Sequence, residues 1–316
     1  MTIAVVIPSY KVTDFILDVI SSIGPDVNKV YVVDDCCPNN SGAFVEEHCN
    51  DKRVVALRHT VNQGVGGAVM TGMQQAMKDG CDIVVKVDGD GQMDPKLITD
   101  LVQPLVDGDA DYTKGNRFHS FYSVKTMPAI RLFGNAMLSF MTKFSSGYWS
   151  IFDPTNGFVA IHKTALSQLD MSKLSKRYFF ETDMLIQLGD MRAVVADYPM
   201  SAVYGEETSN LHVRQVLFEF LGKHLRAIAR RIVYTYFLRD FSIASVNLFF
   251  GTLLLLIGVL FGGFSWVKAS QAGTYASIGT VMLSVLPIIL GFQMVLQFLS
   301  YDMSNEPRRS LQSRGH

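Results

Sequence analysis

Two long stretches without charge near the end of the chain restrict its possible folds more than any other feature. No Asp, Glu, Lys or Arg occurs between Asp240 and Lys268 or between Lys268 and Asp302. The bilayer core offers no water to a free backbone group, so a stretch of roughly 20 apolar residues predicts a spanning helix. We therefore expect two transmembrane helices, over about residues 244–264 and 276–300.

Basic residues around this helix pair predict its orientation. Arginines flank it on both sides: Arg226, Arg230, Arg231, Arg239, Arg308, Arg309 and Arg314. Two spans return the chain to the side on which it began, and an excess of arginine marks the cytoplasmic side. We expect both termini in the cytoplasm. An apolar stripe with flanking cations over 211–238 predicts an amphipathic helix in the membrane interface, with packing on a soluble domain as the alternative.

The first part of the chain alternates two hydrophobic patterns. Short apolar runs rich in β-branched residues cover 3–7, 30–33, 54–57 and 83–87, and segments of helical period cover 14–23, 41–48, 66–78 and 95–106. This alternation predicts an α/β fold with a Rossmann-like, doubly wound, mostly parallel sheet that binds ligands beyond its carboxyl strand ends. The net charge of -1 argues against a nucleic-acid partner. The four cysteines lack CxxC spacing, so we expect reduced thiols.

Two carboxylates and an amide follow the fourth apolar run directly. Asp88, Asp90 and Gln92 occupy alternate positions, so their oxygens can point into one site. Mg²⁺ and Mn²⁺ prefer oxygen ligands, often one or two carboxylates together with substrate phosphates. The spacing therefore predicts a Mg²⁺ or Mn²⁺ site, and a solvated turn is the alternative.

The glycine-rich segment 62–67 is a second candidate for ligand binding. A dinucleotide fingerprint requires a third glycine where this chain has Val69, and no Lys-Ser/Thr pair follows as in a P-loop. A nicotinamide oxidoreductase is therefore the weakest functional alternative. We interpret Gly66 as a position where the backbone can approach a nucleotide donor, with a plain helix start as the alternative.

The order of these motifs resembles that of one enzyme family. Val-Val-Ile-Pro-Ser-Tyr at 5–10, Val-Val-Asp-Asp at 32–35, Asn-Gln-Gly-Val-Gly-Gly at 62–67 and Asp-Gly-Asp at 88–90 follow one another at βα spacing. The set resembles the family 2 glycosyltransferases of the GT-A fold. Within that group the chain is similar to the polyprenyl-phosphate sugar transferases, relatives of dolichol-phosphate mannose synthase and of bacterial two-span polyisoprenyl-phosphate glucosyltransferases.

The resemblance implies a role for individual residues. Donor contacts are implied for Pro8, Tyr10, Asp35 and Asp88, and metal ligation for Asp88, Asp90 and Gln92. Binding of the acceptor phosphate is implied for Arg117, Arg131 and Asn135. The candidate catalytic carboxylates near the acceptor are Asp153, Glu181 and Asp183. A helix-capping role is the alternative for Asp183.

The resemblance also implies a reaction and a place for it. We expect inverting transfer of a sugar from a nucleotide sugar, by resemblance a UDP-sugar, to an undecaprenyl-type or dolichyl-type polyprenyl phosphate among membrane lipids. The protein would serve cell-surface glycans in the bacterial inner membrane, as a homo-oligomer and by resemblance a tetramer. We expect a catalytic domain at 1–210, the amphipathic helix at 211–240, a transmembrane hairpin at 241–301 and a cytoplasmic tail at 302–316. A processive polysaccharide synthase and a non-catalytic membrane adaptor are the alternatives.

Overall fold

A seven-stranded sheet organises the amino-terminal part of the computed structural model, which describes residues 1–118, 129–200 and 213–315. Its strands are β1 (Ile3–Ser9), β2 (Lys29–Asp34), β3 (Val54–Arg58), β4 (Ile83–Lys86), β5 (Tyr112–Asn116), β6 (Val159–His162) and β7 (Val195–Pro199). Their order is β3-β2-β1-β4-β6-β5-β7. The first four strands pair in parallel and form the parallel half. In the mixed half, β6 runs antiparallel to β4 and β5, and β7 runs parallel to β5.

The predicted apolar runs form the buried strands of the parallel half. Ala4 and Val6 of β1 belong to one hydrophobic cluster, whereas Val5 and Ile7 belong to another. Successive side chains of a strand point to opposite faces, so β1 is covered on both sides. The four predicted runs coincide with β1 to β4 except for residues at their ends.

Helices supply the covering layers. They are α1 (Ile16–Ser21), α2 (Ser41–His48), α3 (Val65–Lys78), α4 (Ile98–Val106), α5 (Ala129–Ser146), α6 (Lys163–Leu166), α7 (Phe180–Asp190) and α8 (Val213–Val233). A Cβ added at Gly72 of α3 would lie 2.3 Å from a methyl carbon of Val6, so this glycine permits close contact between α3 and β1. The predicted α/β fold with a mostly parallel sheet is confirmed.

The chain divides into two compact units, Met1–Ile228 with Pro307–His316 and Ala229–Glu306. The second unit contains the π-helical turn Tyr234–Arg239 and two long helices, α9 (Ile243–Gln271) and α10 (Ile278–Ser304). Both long helices have the length and composition to cross a membrane, with mean hydropathies of 2.3 and 2.0. Their apolar windows are 22% and 11% buried, whereas the core helix of a soluble protein is mostly buried.

Small residues and one charge pair hold the second unit together. A Cβ added at Gly251 of α9 would lie 3.0 Å from the carbonyl oxygen of Gly291 in α10, which indicates close backbone packing. The Arg231 guanidinium donates two hydrogen bonds of 2.8 Å to the Asp302 carboxylate. The Tyr236 hydroxyl donates to the same carboxylate. The end of α8 is therefore tied to the end of α10 by a buried ionic network.

The carboxyl-terminal residues pack on the first unit. The Asp111 carboxylate accepts hydrogen bonds from the backbone N–H groups of Leu311 at 2.8 Å and Gln312 at 3.4 Å. Asp111 is 0% exposed, so these bonds satisfy a charge that has no access to water. α10 ends at Ser304 and the first unit resumes at Pro307, and the expected cytoplasmic tail at 302–316 stays a prediction.

Candidate active site

The strand ends of the parallel half open into one cavity. Its volume is about 400 Å³. The predicted donor and metal residues on its wall are Pro8, Tyr10, Asp35, Asp88 and Asp90. Pro8 lies near the end of β1, and the other residues follow β1, β2 and β4, whose carboxyl ends lie at the same edge of the sheet. The structure therefore brings together side chains that the sequence places after three separate strands.

The Asp35 carboxylate shapes this cavity by holding a loop. It accepts hydrogen bonds from the backbone N–H groups of Gln63 at 2.8 Å and Gly64 at 2.7 Å. The Nδ1 atom of His59 lies 2.7 Å from its Oδ1 atom. Asp35 thus fixes the glycine-rich segment 62–67 to the end of β2, and its expected contact with a donor stays a prediction.

The glycines of this segment pack against the chain that precedes α7. Gly64 has a φ of +86°, and a Cβ added there would lie 2.5 Å from the carbonyl oxygen of Lys176. A Cβ added at Gly66 would lie 2.5 Å from the carbonyl oxygen of Ser175. Gly66 does not line the cavity, so the close approach seen here is to the protein's own backbone. Its approach to a donor stays a prediction.

A buried lysine connects the metal motif with α7. The side chain of Lys86 is 1% exposed, and its Nζ atom lies 2.8 Å from Asp88 Oδ1 and 3.2 Å from Glu181 Oε1. Burial lowers the pKa of Lys86, but the two carboxylates outweigh burial and hold that pKa above its ordinary value. Lys86 is therefore a permanent cation at neutral pH, and Glu181 is one of its two counter-charges.

The acidic pair of the metal motif offers the ligands that a hard divalent cation prefers. Asp88 and Asp90 both line the cavity, and the Asp88 side chain is 28% exposed. The backbone N–H of Gln92 donates to Asp90 Oδ1 at 3.0 Å, but Gln92 does not line the cavity. Across 1–118, 129–200 and 213–315, no three His, Cys, Asp or Glu side chains form a ready-made metal cluster. Two carboxylates fit Mg²⁺ or Mn²⁺ whose remaining ligands are substrate phosphates and water.

The predicted residues Arg117 and Asp153 form one ion pair. Arg117 Nε lies 2.8 Å from Asp153 Oδ2, and Arg117 Nη2 lies 3.0 Å from Oδ1. The backbone N–H of Arg117 also donates to Oδ2 at 3.2 Å. The Asp153 side chain is 0% exposed and that of Arg117 is 29% exposed. Two parallel bonds to a carboxylate fix the plane of a guanidinium, so the arginine is held in one orientation.

A buried lysine and a half-buried aspartate lie near this pair. Lys114 on β5 donates to the carbonyl oxygen of Asn156, and burial lowers the pKa of Lys114 to about 8. Asp197 on β7 accepts a 2.9 Å hydrogen bond from the Asn116 side chain, and burial raises its pKa. The mixed half therefore places ionisable groups of both signs close to the Arg117–Asp153 pair.

The remaining predicted residues lie on two helices. Asp183, in the first turn of α7, accepts a 2.8 Å hydrogen bond from the backbone N–H of Ser175, which ties the preceding segment to the helix. Ser175 lies before the helix, and the N-cap residue Phe179 makes no side-chain capping bond, so the structure does not show the helix-capping alternative. Arg131 and Asn135 belong to α5. The Arg131 side chain lies outside the described residues, and Asn135 is half-buried. The acceptor role of both and the catalytic role of Asp183 stay predictions.

Sequence reasoning missed several residues of this region, namely Lys86, Lys114, Arg177 and Tyr178. Lys86 and Lys114 each lie within a short buried strand, where a lysine needs a partner of opposite charge or a hydrogen-bond acceptor. That pattern could have marked both lysines as candidates. Arg177 and Tyr178 line the cavity from the segment before α7, and no local sequence pattern marks them.

Known protein sequences provide one family match and several relatives. A sequence model described as glycosyl transferase family 2 matches residues 4–170. UDP-N-acetylglucosamine--dolichyl-phosphate N-acetylglucosaminyltransferase of Methanococcus voltae is 30% identical over 65% of this chain and 86% of its own length. Polyprenol monophosphomannose synthase of Mycolicibacterium smegmatis is 26% identical, over 68% of this chain and 84% of its own length.

Solved structures share the fold at low sequence identity. Glucosyl-3-phosphoglycerate synthase from Mycobacterium tuberculosis, in complex with Mn²⁺ and UDP-glucose, superposes with a TM-score of 0.56 at 19% identity. The match covers 72% of this chain and 79% of that chain. The same enzyme in complex with UDP gives a TM-score of 0.54 at 20% identity, over 71% of this chain and 80% of that chain. These matches establish the architecture of the sheet and its helices.

Proposed function

The chain belongs to glycosyl transferase family 2, and from this premise we propose that it transfers a sugar from a nucleotide sugar to polyprenyl phosphate. One of the two relatives named above has dolichyl phosphate in its name, and the other has a polyprenol monophospho-sugar, polyprenol monophosphomannose. The observation that carries the proposal is the cavity at the strand ends, where Tyr10, Asp35 and the Asp88–Asp90 pair share one wall. The donor in this proposal is a UDP-sugar.

Asp88 and Asp90 would hold Mg²⁺ or Mn²⁺ in this enzyme. The support is their shared position on the cavity wall and the oxygen character of both side chains. The fold neighbour was crystallised with Mn²⁺ and UDP-glucose. When bound, a divalent ion neutralises the charge of the departing diphosphate.

The protein's own residues position the acceptor. A phosphate monoester has a second pKa near 6, so the acceptor is largely a dianion at neutral pH and needs orientation more than deprotonation. Arg117 and Arg131 supply cations for it, with Asn135 nearby on α5. In-line attack on the anomeric carbon then gives inversion. Glu181 and Asp183 are retained as candidate carboxylates near the acceptor.

We propose that α9 and α10 attach the protein to a membrane, and the support is that both are long and apolar enough to cross a bilayer. We propose that they form a transmembrane hairpin, that the first unit and both termini lie in the cytoplasm, and that the product serves cell-surface glycans. The support for the orientation is the arginine excess that flanks the pair. We also propose a homo-oligomer, a tetramer by resemblance, in the bacterial inner membrane.

Transfer is tested with the full-length chain in detergent micelles. A panel of UDP-sugars and GDP-sugars is offered with short-chain polyprenyl phosphate, and the glycolipid product is separated and quantified. We expect product from one UDP-sugar in the presence of Mg²⁺ or Mn²⁺ and none in excess chelator. Asp90→Asn should lower the rate at least about 100-fold, because several kcal/mol of charge stabilisation depend on the metal site.

A matched control is Asp94→Asn, since Asp94 is an exposed carboxylate that only caps the turn after the metal motif. It should retain the wild-type rate. Product formation at full rate by Asp90→Asn in chelator would refute the metal assignment. Absence of glycolipid with every donor would refute the proposed acceptor.

A further inference from the structure

The geometry of the Arg117–Asp153 pair distinguishes two roles for the Asp153 carboxylate: a general base, and a residue that positions Arg117. Both oxygens of Asp153 accept hydrogen bonds from Arg117, Oδ1 from the guanidinium and Oδ2 from the guanidinium and the backbone N–H. The Asp153 side chain is 0% exposed. A general base needs an oxygen within hydrogen-bond reach of the proton that it removes. Here the arginine lies against both oxygens.

The surroundings hold this pair in place from two directions. Arg117 follows β5 directly, and the Asn116 side chain at that strand end accepts from the backbone N–H of Phe118 at 2.9 Å. The loop that carries Asp153 is held against β5 because Lys114 donates to the carbonyl oxygen of Asn156. The orientation of the guanidinium is thus fixed before any ligand arrives, which reduces the entropy lost on binding.

The same guanidinium remains within reach of an anion from solvent. The Arg117 side chain is 29% exposed, whereas its partner is fully covered. A planar guanidinium presents five N–H donors and recognises a phosphate through paired bonds. A buried carboxylate paired with a partly exposed guanidinium can therefore hold that guanidinium in an orientation that binds phosphate.

We propose that Asp153 is a positioning residue that orients Arg117 toward the acceptor phosphate, and that it accepts no proton during transfer. This inference rests on the proposed function and deepens it. The nucleophile is the phosphate oxygen of the acceptor, which forms the bond to the anomeric carbon while the bond to the nucleotide diphosphate breaks. No proton needs to move in that step, because the acceptor is already ionised.

The test compares Asp153→Asn with the wild-type enzyme in three measurements: KM for polyprenyl phosphate, kcat, and the calorimetric Kd of the donor. A positioning role predicts that the KM for the acceptor rises about 10-fold to 100-fold. The reason is that a small displacement of the phosphate-binding guanidinium lowers the rate of productive binding by up to about 10²-fold. The donor Kd should stay unchanged. A loss confined to kcat, with an unchanged acceptor KM, would overturn the inference.

The pH dependence gives a second, independent readout. If the acceptor dianion is the reacting species, kcat/KM falls below a pH near 6 in the wild-type enzyme and in Asp153→Asn alike. If Asp153 is the base, the kcat/KM of Asp153→Asn no longer falls at low pH. A wild-type enzyme that makes no glycolipid contradicts the proposed function, whereas an active wild-type enzyme with an altered low-pH dependence in Asp153→Asn contradicts this inference.

A double-variant cycle separates positioning from a purely structural role. If Asp153 acts only through Arg117, then Arg117→Ala with Asp153→Asn should be as slow as Arg117→Ala alone, to within about threefold. Arg117→Ala alone leaves the buried Asp153 carboxylate without its cation. The double variant removes that carboxylate, so it should fold at least as well as Arg117→Ala. Losses that multiply would assign Asp153 an action independent of Arg117 and overturn the inference.

Discussion

Two regions of the first unit stabilise their carboxylates in different ways: the carboxyl end of β2, and the junction between β4 and the mixed half of the sheet. At the carboxyl end of β2, the Asp34 carboxylate accepts hydrogen bonds from the backbone N–H groups of Cys37 at 2.7 Å and Gly42 at 2.8 Å. Asp35 accepts two backbone N–H groups in a similar way. At the junction between β4 and the mixed half, Asp88 and Glu181 share the cation Lys86, and Asp153 pairs with Arg117. Backbone bonds fix the loops at the end of β2, whereas ion pairs supply side-chain charge at the junction.

This difference has an energetic consequence. A carboxylate held by backbone N–H groups depends on the path of the local chain. Replacing it with a neutral side chain removes individual hydrogen bonds. A carboxylate held by a buried cation depends on one partner, and loss of that partner leaves a charge without compensation. We therefore expect the ion-paired region to respond more strongly to the loss of a single side chain.

The largest expected effect on stability is that of Lys86→Met. It leaves Asp88 and Glu181 close together without their shared cation. Removing one partner of a buried ion pair costs about 3–5 kcal/mol, and the partial exposure of Asp88 reduces the expected loss of unfolding free energy to about 2–4 kcal/mol. The measurement is denaturant unfolding followed by tryptophan fluorescence.

A matched control tests whether burial causes the loss. Lys29→Met removes a lysine that forms a 2.7 Å pair with Asp79 at the surface of the parallel half, and we expect little change. Adding Glu181→Gln to Lys86→Met should restore part of the lost stability, because it removes one of the two uncompensated charges. Equal losses in Lys29→Met and Lys86→Met would contradict the proposed contrast.

The sequence predicted the parallel half well because its strands are continuous apolar runs followed by polar residues. Run 30–33 predicted β2, and segment 41–48 predicted α2 with the same limits as the structure. Since the ends of parallel strands share one edge, the grouping of Tyr10, Asp35 and Asp88 also followed from the pattern.

The mixed half was less predictable because its order depends on contacts between distant parts of the chain. β6 inserts antiparallel between β4 and β5, and no local pattern encodes that insertion. The pairs Arg117–Asp153 and Lys86–Glu181 likewise join residues far apart in sequence. The sequence marked Arg117, Asp153 and Glu181 as candidate site residues, but it could not indicate which charges neutralise one another.

An intermediate effect is expected for Asp34→Asn in the parallel half. Asp34 is 5% exposed and uses both oxygens as acceptors, whereas Asn has one oxygen and turns an N–H group toward the second donor. We expect a loss of about 1–3 kcal/mol in unfolding free energy, smaller than that of Lys86→Met. Asp170→Asn is the control, because that carboxylate accepts a backbone N–H at an exposed site. A loss larger than that of Lys86→Met would reverse the expected order of the two regions.

The smallest expected effect concerns two buried histidines. In the parallel half, His59 Nδ1 lies beside the Asp35 carboxylate. Beside the mixed half, His224 of α8 is 1% exposed, its Nδ1 lies 3.0 Å from the Ser145 hydroxyl, and no carboxylate contacts it in the described residues. Burial lowers the pKa of His224 to about 4. A proton on this ring would therefore be a buried charge without a counter-ion.

The sign of the resulting pH dependence follows from proton binding in the two states. The unfolded chain binds the proton of His224 near its ordinary pKa of about 6.5, whereas the folded protein binds it near pH 4. Stability from this residue is therefore complete above about pH 6.5 and is lost as the pH falls toward 4, by about 1 kcal/mol between pH 7.5 and 5.5. His224→Gln should flatten that part of the unfolding curve, while His48→Gln, at an exposed site of α2, should leave it unchanged. Because His162 also has a pKa lowered by burial, some pH dependence should remain in His224→Gln. An unaltered slope in that variant would mean that the ring gains a counter-charge on protonation, and the contrast between the two histidines would fail.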